Sequence, residues 1–360
     1  MSTTSDNQNL PPGGGMHSPA QLARTRQAIA GGMWPILEAW QGLQAEVDTS
    51  LDREPQAVTD FNVPGAYIDH PGHQRALAAL AGDARTAYSC GIAWQLETDE
   101  DRRLRHARKA VEVLTAWAET NKQASGHDGD LCMAYAGTGL LFAAELLDSC
   151  EVWARAERDA FDLWVQSVFL ASCERIVHRE NNWGDWGILG CIAGHRLLGD
   201  ESAVDGYIQR LRGRIDHGIH PDGTMPLEIQ RGPTGIWYTY FALAPLTAAC
   251  QIAFNARAVD LFSYVPPAGG GIEAALDYLL AYCNRPADWP HYDGDDLVNA
   301  PTPETWYGTL FEAMAGVYNK PAYADWVSPA RPAMTRGHHY AWAVPTLLRP
   351  LAVRPDIPSR

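Results

Sequence analysis

Gln230-Arg-Gly-Pro-Thr-Gly-Ile-Trp-Tyr-Thr-Tyr-Phe-Ala-Leu243 reads as a loop feeding a helix. Gly232 and Pro233 mark the start, since proline suits the first helical turn, where its missing N–H costs nothing. The apolar, Ala-rich run that follows predicts a helix over 235–255. Arg231 then lies in the loop just before it, and Tyr238, seven residues on, sits little more than a turn inside. Guanidinium, phenol and the positive end of the helix fall on one side. Tyr240, two residues further, faces elsewhere and reads as core.

Outward from this stretch the same pattern recurs. Apolar residues at three-to-four spacing predict helices over 18–48, 73–97, 100–121, 133–149, 151–177, 185–198, 201–216, 271–284, 303–318 and 338–349. The first opens on Ser18-Pro-Ala-Gln21, with a capping Ser, a first-turn Pro and a Gln to complete the capping box. Only 222–230 and 264–266 offer short extended pieces. The connections carry Gly, Pro, Asp and Asn, as turns between antiparallel helices do. Composition shows no break and no strict repeat. One all-α domain over 18–360 is expected after a polar, disordered tail over 1–17. Helical hairpins pack in several ways, and periodicity alone does not choose among them.

Of the 360 residues, 46% are hydrophobic and 20% charged, which describes a globular chain with ample core. A net charge of −15 argues against nucleic acid or an anionic membrane surface as partner. It also requires that any polyanionic ligand meet a local gathering of Arg and His. Thirteen Trp suit core packing first and stacking on sugar faces second. Cys90, Cys132, Cys150, Cys173, Cys191, Cys250 and Cys283 lie in apolar contexts without a CxxC pair, so buried free thiols are expected. No HExxH, EF-hand or phosphate loop calls for a metal or cofactor, and no apolar run approaches a membrane span. The N-terminus lacks a basic-then-apolar leader. A cytoplasmic location is therefore expected, or a periplasmic or secreted one if a leader has been removed.

A tandem Asn181-Asn182 stands about fifty residues before Arg231. Asparagine, arginine and tyrosine together suit elimination beside a carboxylate. The proton on C5 of a uronic acid leaves only if charge on the adjacent carboxylate is neutralised as an enolate-like species forms. Amide, imidazole and guanidinium donors do that, while a phenol can take the proton and return one to the leaving oxygen on C4. An ordinary tyrosine pKa near ~10 makes it a poor base at neutral pH, and a nearby arginine is expected to lower it.

Glu180-Asn-Asn-Trp-Gly-Asp-Trp186 and Arg231-Gly-Pro-Thr-Gly-Ile-Trp-Tyr238 resemble the two signature segments of the alginate lyase family. Members carry an Asn-Asn-His segment and, some fifty residues later, an Arg-Gly helix start with a tyrosine. The likeness extends over roughly 60–320, through Phe61-Asn-Val-Pro-Gly-Ala-Tyr67 and Asp83-Ala-Arg-Thr-Ala-Tyr88. It implies an (α/α) toroid or incomplete α/α barrel. It also implies a cofactor-free lyase acting on an acidic polysaccharide or oligosaccharide, with Tyr238 as acid and base and Asn182 and Arg231 on the carboxylate. Trp183 stands where the family has histidine. The displaced imidazole is sought first in His127, within Gly126-His-Asp-Gly-Asp-Leu131, and next in His220; His70 and His73 lie beside Tyr67. Trp183, Tyr67, Trp237 and His220 are expected to bind substrate, which the departure at Trp183 extends from polymannuronate to polyglucuronate. Glycines 184, 187, 190 and 194 form a stripe suited to close helix packing. Asn182 is also a natural helix N-cap. A glycoside hydrolase using Asp185 and Glu228 and a carbohydrate-binding protein without catalysis are the competing readings. His338-His339 carries no surrounding motif.

Overall fold

The computed structural model describes residues 14–291, 300–335 and 338–350. Its helices are α1 (Pro19–Ala30), α2 (Ile36–Ser50), α3 (His70–Leu96), α4 (Glu100–Thr120), α5 (Gly129–Leu146), α6 (Arg155–Trp164) and α7 (Ala171–Ile176). There follow α8 (Asn182–Leu197), α9 (Glu201–Gly218), α10 (Pro226–Ile229), α11 (Gly235–Arg257), α12 (Ile272–Asn284), α13 (Trp306–Tyr318) and α14 (Pro321–Val327). A π-helical stretch, Val165–Leu170, joins α6 to α7.

Helices α3, α5, α8 and α11 pack side by side in that order, and rings of Trp237, Tyr240 and Tyr307 link α11 to α13. These five form an inner ring. Outside it α4 packs on α3, α7 on α5 and α8, α9 on α8, α12 on α11 and α14 on α13. Burial follows the layers. α5 and α11 are buried nearly all round, whereas α4 and α9 bury one face. This is the expected (α/α) toroid, and its inner helices all start at one mouth.

The glycine stripe of α8 does what its spacing implied. A methyl group on Gly187 would come within 2.8 Å of the Val177 backbone, and one on Gly194 within 2.6 Å of Leu170, so α8 lies flush on the rod behind it.

Four sequence expectations change. The helix over 18–48 is two helices, because Gly32 turns left-handed (φ +66) after α1. Segment 222–230 is a turn followed by α10 rather than an extended piece. The helix expected over 338–349 is a series of turns buried inside the ring. There Tyr340 packs against Gly139 and Tyr88, and Trp342 donates to Thr247 Oγ1 at 2.8 Å. Pro345 cannot donate along a helix, and the carbonyls of Leu347 and Leu348 accept from Thr25 (3.2 Å) and Gln21 (2.7 Å) of α1 instead. Finally, residues 14–17 of the expected tail are packed: Met16 is buried and its N–H donates to Glu145.

A short parallel pair was not foreseen. β1 (Asp60–Asn62) pairs with β2 (Gln123–Ser125), three residues each, too brief for any periodicity to announce. It matters because both strands run directly into loops at the mouth of the ring.

Candidate active site at the mouth of the helical ring

A cavity of about 900 Å³ opens where α3, α5, α8, α11 and α13 begin. Converging N-termini make the place electropositive. Its charged lining points the same way: Arg179, Arg231, Arg85 and the imidazoles of His70, His73 and His127 stand against Asp128 as the one lining carboxylate among the described residues. A gathering of Arg and His of the kind a polyanionic ligand demands is therefore present on a chain of net charge −15, although Arg85 is itself paired to Glu46.

The β1–β2 pair sets two of the site's walls. Val63 N–H donates to Ser125 O and Asp128 N–H to Val63 O, both at 3.0 Å. The Asp128 carboxylate accepts from Ala66 N–H at 2.9 Å. The loops carrying Tyr67 and His127 are thereby held side by side. Asp128 also takes His127 Nδ1 (2.6 Å) and His73 Nδ1 (3.2 Å). Burial pushes the Asp128 carboxyl up, but those imidazoles and the Ala66 amide together hold it below the usual carboxylate range. The bond from Asp128 correspondingly raises His73. A carboxylate only accepts, so His127 carries its proton on Nδ1 and keeps Nε2 for a ligand.

At the start of α8 the two asparagines divide their work. Asn181 caps the helix, its side chain accepting from Trp183 N–H at 3.3 Å. Asn182, the residue with a claim on substrate, donates from its backbone N–H and from Nδ2 to the two oxygens of Glu228, each at 2.8 Å. Its Oδ1 is buried without a partner. The second Nδ2 hydrogen remains to be donated. Glu228 is fully buried; burial, and then the neighbouring Asp185, push its carboxyl up to about 7. Asp185 is equally buried and paired to Arg214 at 2.7 and 3.1 Å. Neither acid lines the cavity, so the pair required by the hydrolytic alternative serves the core instead.

Trp183 presents its ring edge-to-face with His127, centroids 6.2 Å apart, and carries the Arg179 guanidinium at 3.9 Å from its ring centre. An imidazole thus stands beside position 183, delivered from the loop before α5. Across the mouth, a short 3₁₀ turn (Gly232–Thr234) leads into α11 as Pro233 implied. Arg231 sits 4.4 Å over the Tyr238 ring, and the Tyr238 hydroxyl shares a hydrogen bond with Tyr67. The expectation that the arginine brings this phenol below its ordinary value fails. Burial raises it first, the bond with Tyr67 adds to that, and the guanidinium over the ring offsets only part. Tyr238 is therefore a neutral phenol at neutral pH.

Trp237 lines the cavity, packed against Trp306 (5.0 Å) and Phe241 (5.8 Å). Tyr240 is core, bonded to His339 at 2.8 Å. His220 does not reach the cavity. It lies in a neighbouring groove of about 510 Å³ with Arg210, Arg214 and His217, because the turn before α10 carries it outward. Arg179 lines both spaces. Sequence reasoning passed over Arg179, Tyr135, Trp306 and His338. Arg179 had a signal in its place three residues before Asn182. His338 had none: it stacks on Tyr135 at 4.7 Å because the C-terminal segment threads the ring, and burial lowers it to about 4.

A family model described as alginate lyase matches residues 2–289. A stretch of 100 residues is 32% identical to a polysaccharide lyase of Stenotrophomonas maltophilia (strain K279a), covering 27% of this chain and 30% of that protein's length. Among solved structures, an alginate lyase from Bacteroides ovatus superposes with a TM-score of 0.74 at 17% identity, over 94% of this chain and 99% of its own. A tyrosine-to-phenylalanine variant of alginate lyase A1-III complexed with a tetrasaccharide gives 0.67 at 15% identity, over 82% and 85%. A1-III of Sphingomonas species A1 gives 0.68 at 15% identity, over 82% and 86%. Those identities speak for the fold, and the family match over residues 2–289 for kinship: the chain belongs to the alginate lyase family.

Proposed function

We propose that the protein is a polysaccharide lyase that cleaves a β-1,4-linked polyuronate, polymannuronate or polyglucuronate, by syn β-elimination. The observation that carries this reading is the placement of the Tyr238 phenol beneath Arg231 in a cavity with a cationic lining. Asn182 Nδ2, Arg231 and, in its imidazolium form with both ring nitrogens protonated, His127 Nε2 donate to the carboxylate of the bound uronate, which stabilises charge as it moves from C5 onto the carboxyl oxygens. Tyr238 removes the C5 proton and returns a proton to the C4 oxygen as that bond breaks, leaving a 4,5-unsaturated end. One residue serves both steps when proton and leaving group share a face, as in mannuronate and glucuronate. Tyr67, 80% exposed and bonded to the Tyr238 hydroxyl, gives the phenol proton a route to water before the first step. Trp237 supplies a flat apolar face for a sugar ring.

The test is absorbance near ~235 nm, where the unsaturated product of a carboxylate-stabilised elimination absorbs, on polymannuronate, polyguluronate and β-1,4-polyglucuronate. A rise on one polymer, abolished by Tyr238→Phe, is the expected outcome. New reducing ends without that absorbance would overturn elimination, and binding without turnover would leave carbohydrate recognition as the function.

A further inference from the structure

Arg179 belongs to none of the motifs used above. It sits in the turn between α7 and α8, and Gly184 has no side chain, so the Arg179 carbonyl lies directly against the first turn of α8. That close approach sets the guanidinium over the Trp183 ring, 3.9 Å from its centre. Other arginines nearby are committed: Arg175 to Asp130, Arg214 to Asp185, Arg210 to the Val177 carbonyl. Arg179 makes no ion pair with any described residue. A guanidinium stacked on an indole keeps its N–H edge free for a carboxylate while the ring fixes its plane.

We propose that Arg179, held on Trp183, shares the displaced imidazole's duty with His127 and binds the carboxylate of the uronate being cleaved. The inference rests on the elimination reading and deepens it. Tryptophan in a position of carboxylate recognition is then no loss of a donor. It is a platform that exchanges a titrating charge for a permanent one, because a guanidinium stays protonated throughout the working pH range while an imidazole does not. His127, edge-to-face with the same indole and tied to Asp128, helps hold the platform in place.

Steady-state kinetics on the polymer found to be cleaved, in its free-acid and methyl-esterified forms, test this. Arg179→Gln is expected to lower kcat/KM on the free acid by about 10²–10³, the scale for removing one transition-state donor, with little change on the ester, which bears no charge to bind. Trp183→Ala should lower it similarly, and the double variant no further than either alone, since both act through one contact. Arg179→His should give a new loss of activity as pH rises through about 6.5, where an imidazole gives up its charge. Equal losses on acid and ester, or no loss at all, would overturn the role. If the wild-type protein cleaves nothing, calorimetric titration with tetramannuronate and tetraglucuronate separates the two ideas. Binding that Arg179→Gln weakens tenfold or more keeps Arg179 as a carboxylate site while the lyase reading falls. Binding that it leaves unchanged overturns the site, and absence of binding overturns both.

Discussion

Tyr238 shows how little a residue's identity says about its working state. Placed by a proline-led helix start, it was legible in the sequence; its protonation was not, because burial and Tyr67 arrive from the fold. A phenol raised above its ordinary value must lose its proton before it can act as a base, so kcat/KM should climb from neutral into alkaline pH. In Tyr67→Phe the route for that proton is lost and kcat should fall by about 10-fold or more with KM little changed, a loss within the range of proton-transfer catalysis; an unchanged kcat would remove Tyr67 from the mechanism. Asn182 was legible as a candidate, but its competitor as helix cap proved to be Asn181, a choice made by backbone geometry that tandem asparagines leave open. Glu228 gives a stability prediction. Its pKa is about 7 in the folded chain against an ordinary 4.5, so between those values the native state holds a proton that the unfolded state has released. Its contribution is complete below 4.5 and is lost as the pH rises through about 7. Glu228→Gln should therefore flatten the fall in Tm between about pH 4.5 and about pH 7 relative to wild type; an equally steep fall would place the titration elsewhere.

Elements were read most reliably where the apolar period was long. α3, α4, α9, α11 and α12 fall close to the expected spans because each repeats its pattern over three or more turns. The failures are equally physical. A segment buried on every side, as residues 338–350 are, carries no amphipathic signal to distinguish a helix from a threaded chain. Three-residue strands carry no period at all, yet β1 and β2 set Tyr67 beside His127. The stripe on α8 was legible because glycine at three-to-four spacing has few uses other than close approach. It also yields a clean test. Gly187→Ala puts a methyl within 2.8 Å of the Val177 Cα, backbone that cannot rotate away. The expected destabilisation is about 1–3 kcal/mol, the scale of overpacking, read from urea unfolding. Since α8 also carries Asn182 and Trp183, the same change should lower kcat/KM even under conditions where the variant is fully folded.

Across the whole molecule the governing fact is a separation of charge that composition could require but not display. The chain carries −15, yet the mouth where five inner helices begin is lined by arginines and histidines. Which field a polyuronate feels depends on distance. At about 0.01 M salt the screening length is about 30 Å, long enough for the acidic exterior to repel an approaching polyanion. At about 0.1 M it shrinks to about 10 Å, so the exterior is hidden while the lining still acts at contact range. Near 1 M it is about 3 Å, and the lining's attraction fades as well. The kcat/KM for a long polyuronate should consequently pass through a maximum at intermediate ionic strength. A methyl-esterified polymer, without charges to steer, should show no such maximum. A steady decline from the lowest salt would mean that the acidic surface lies too far from the mouth to matter. A flat profile on the free acid would mean that the cationic lining does not recruit the substrate.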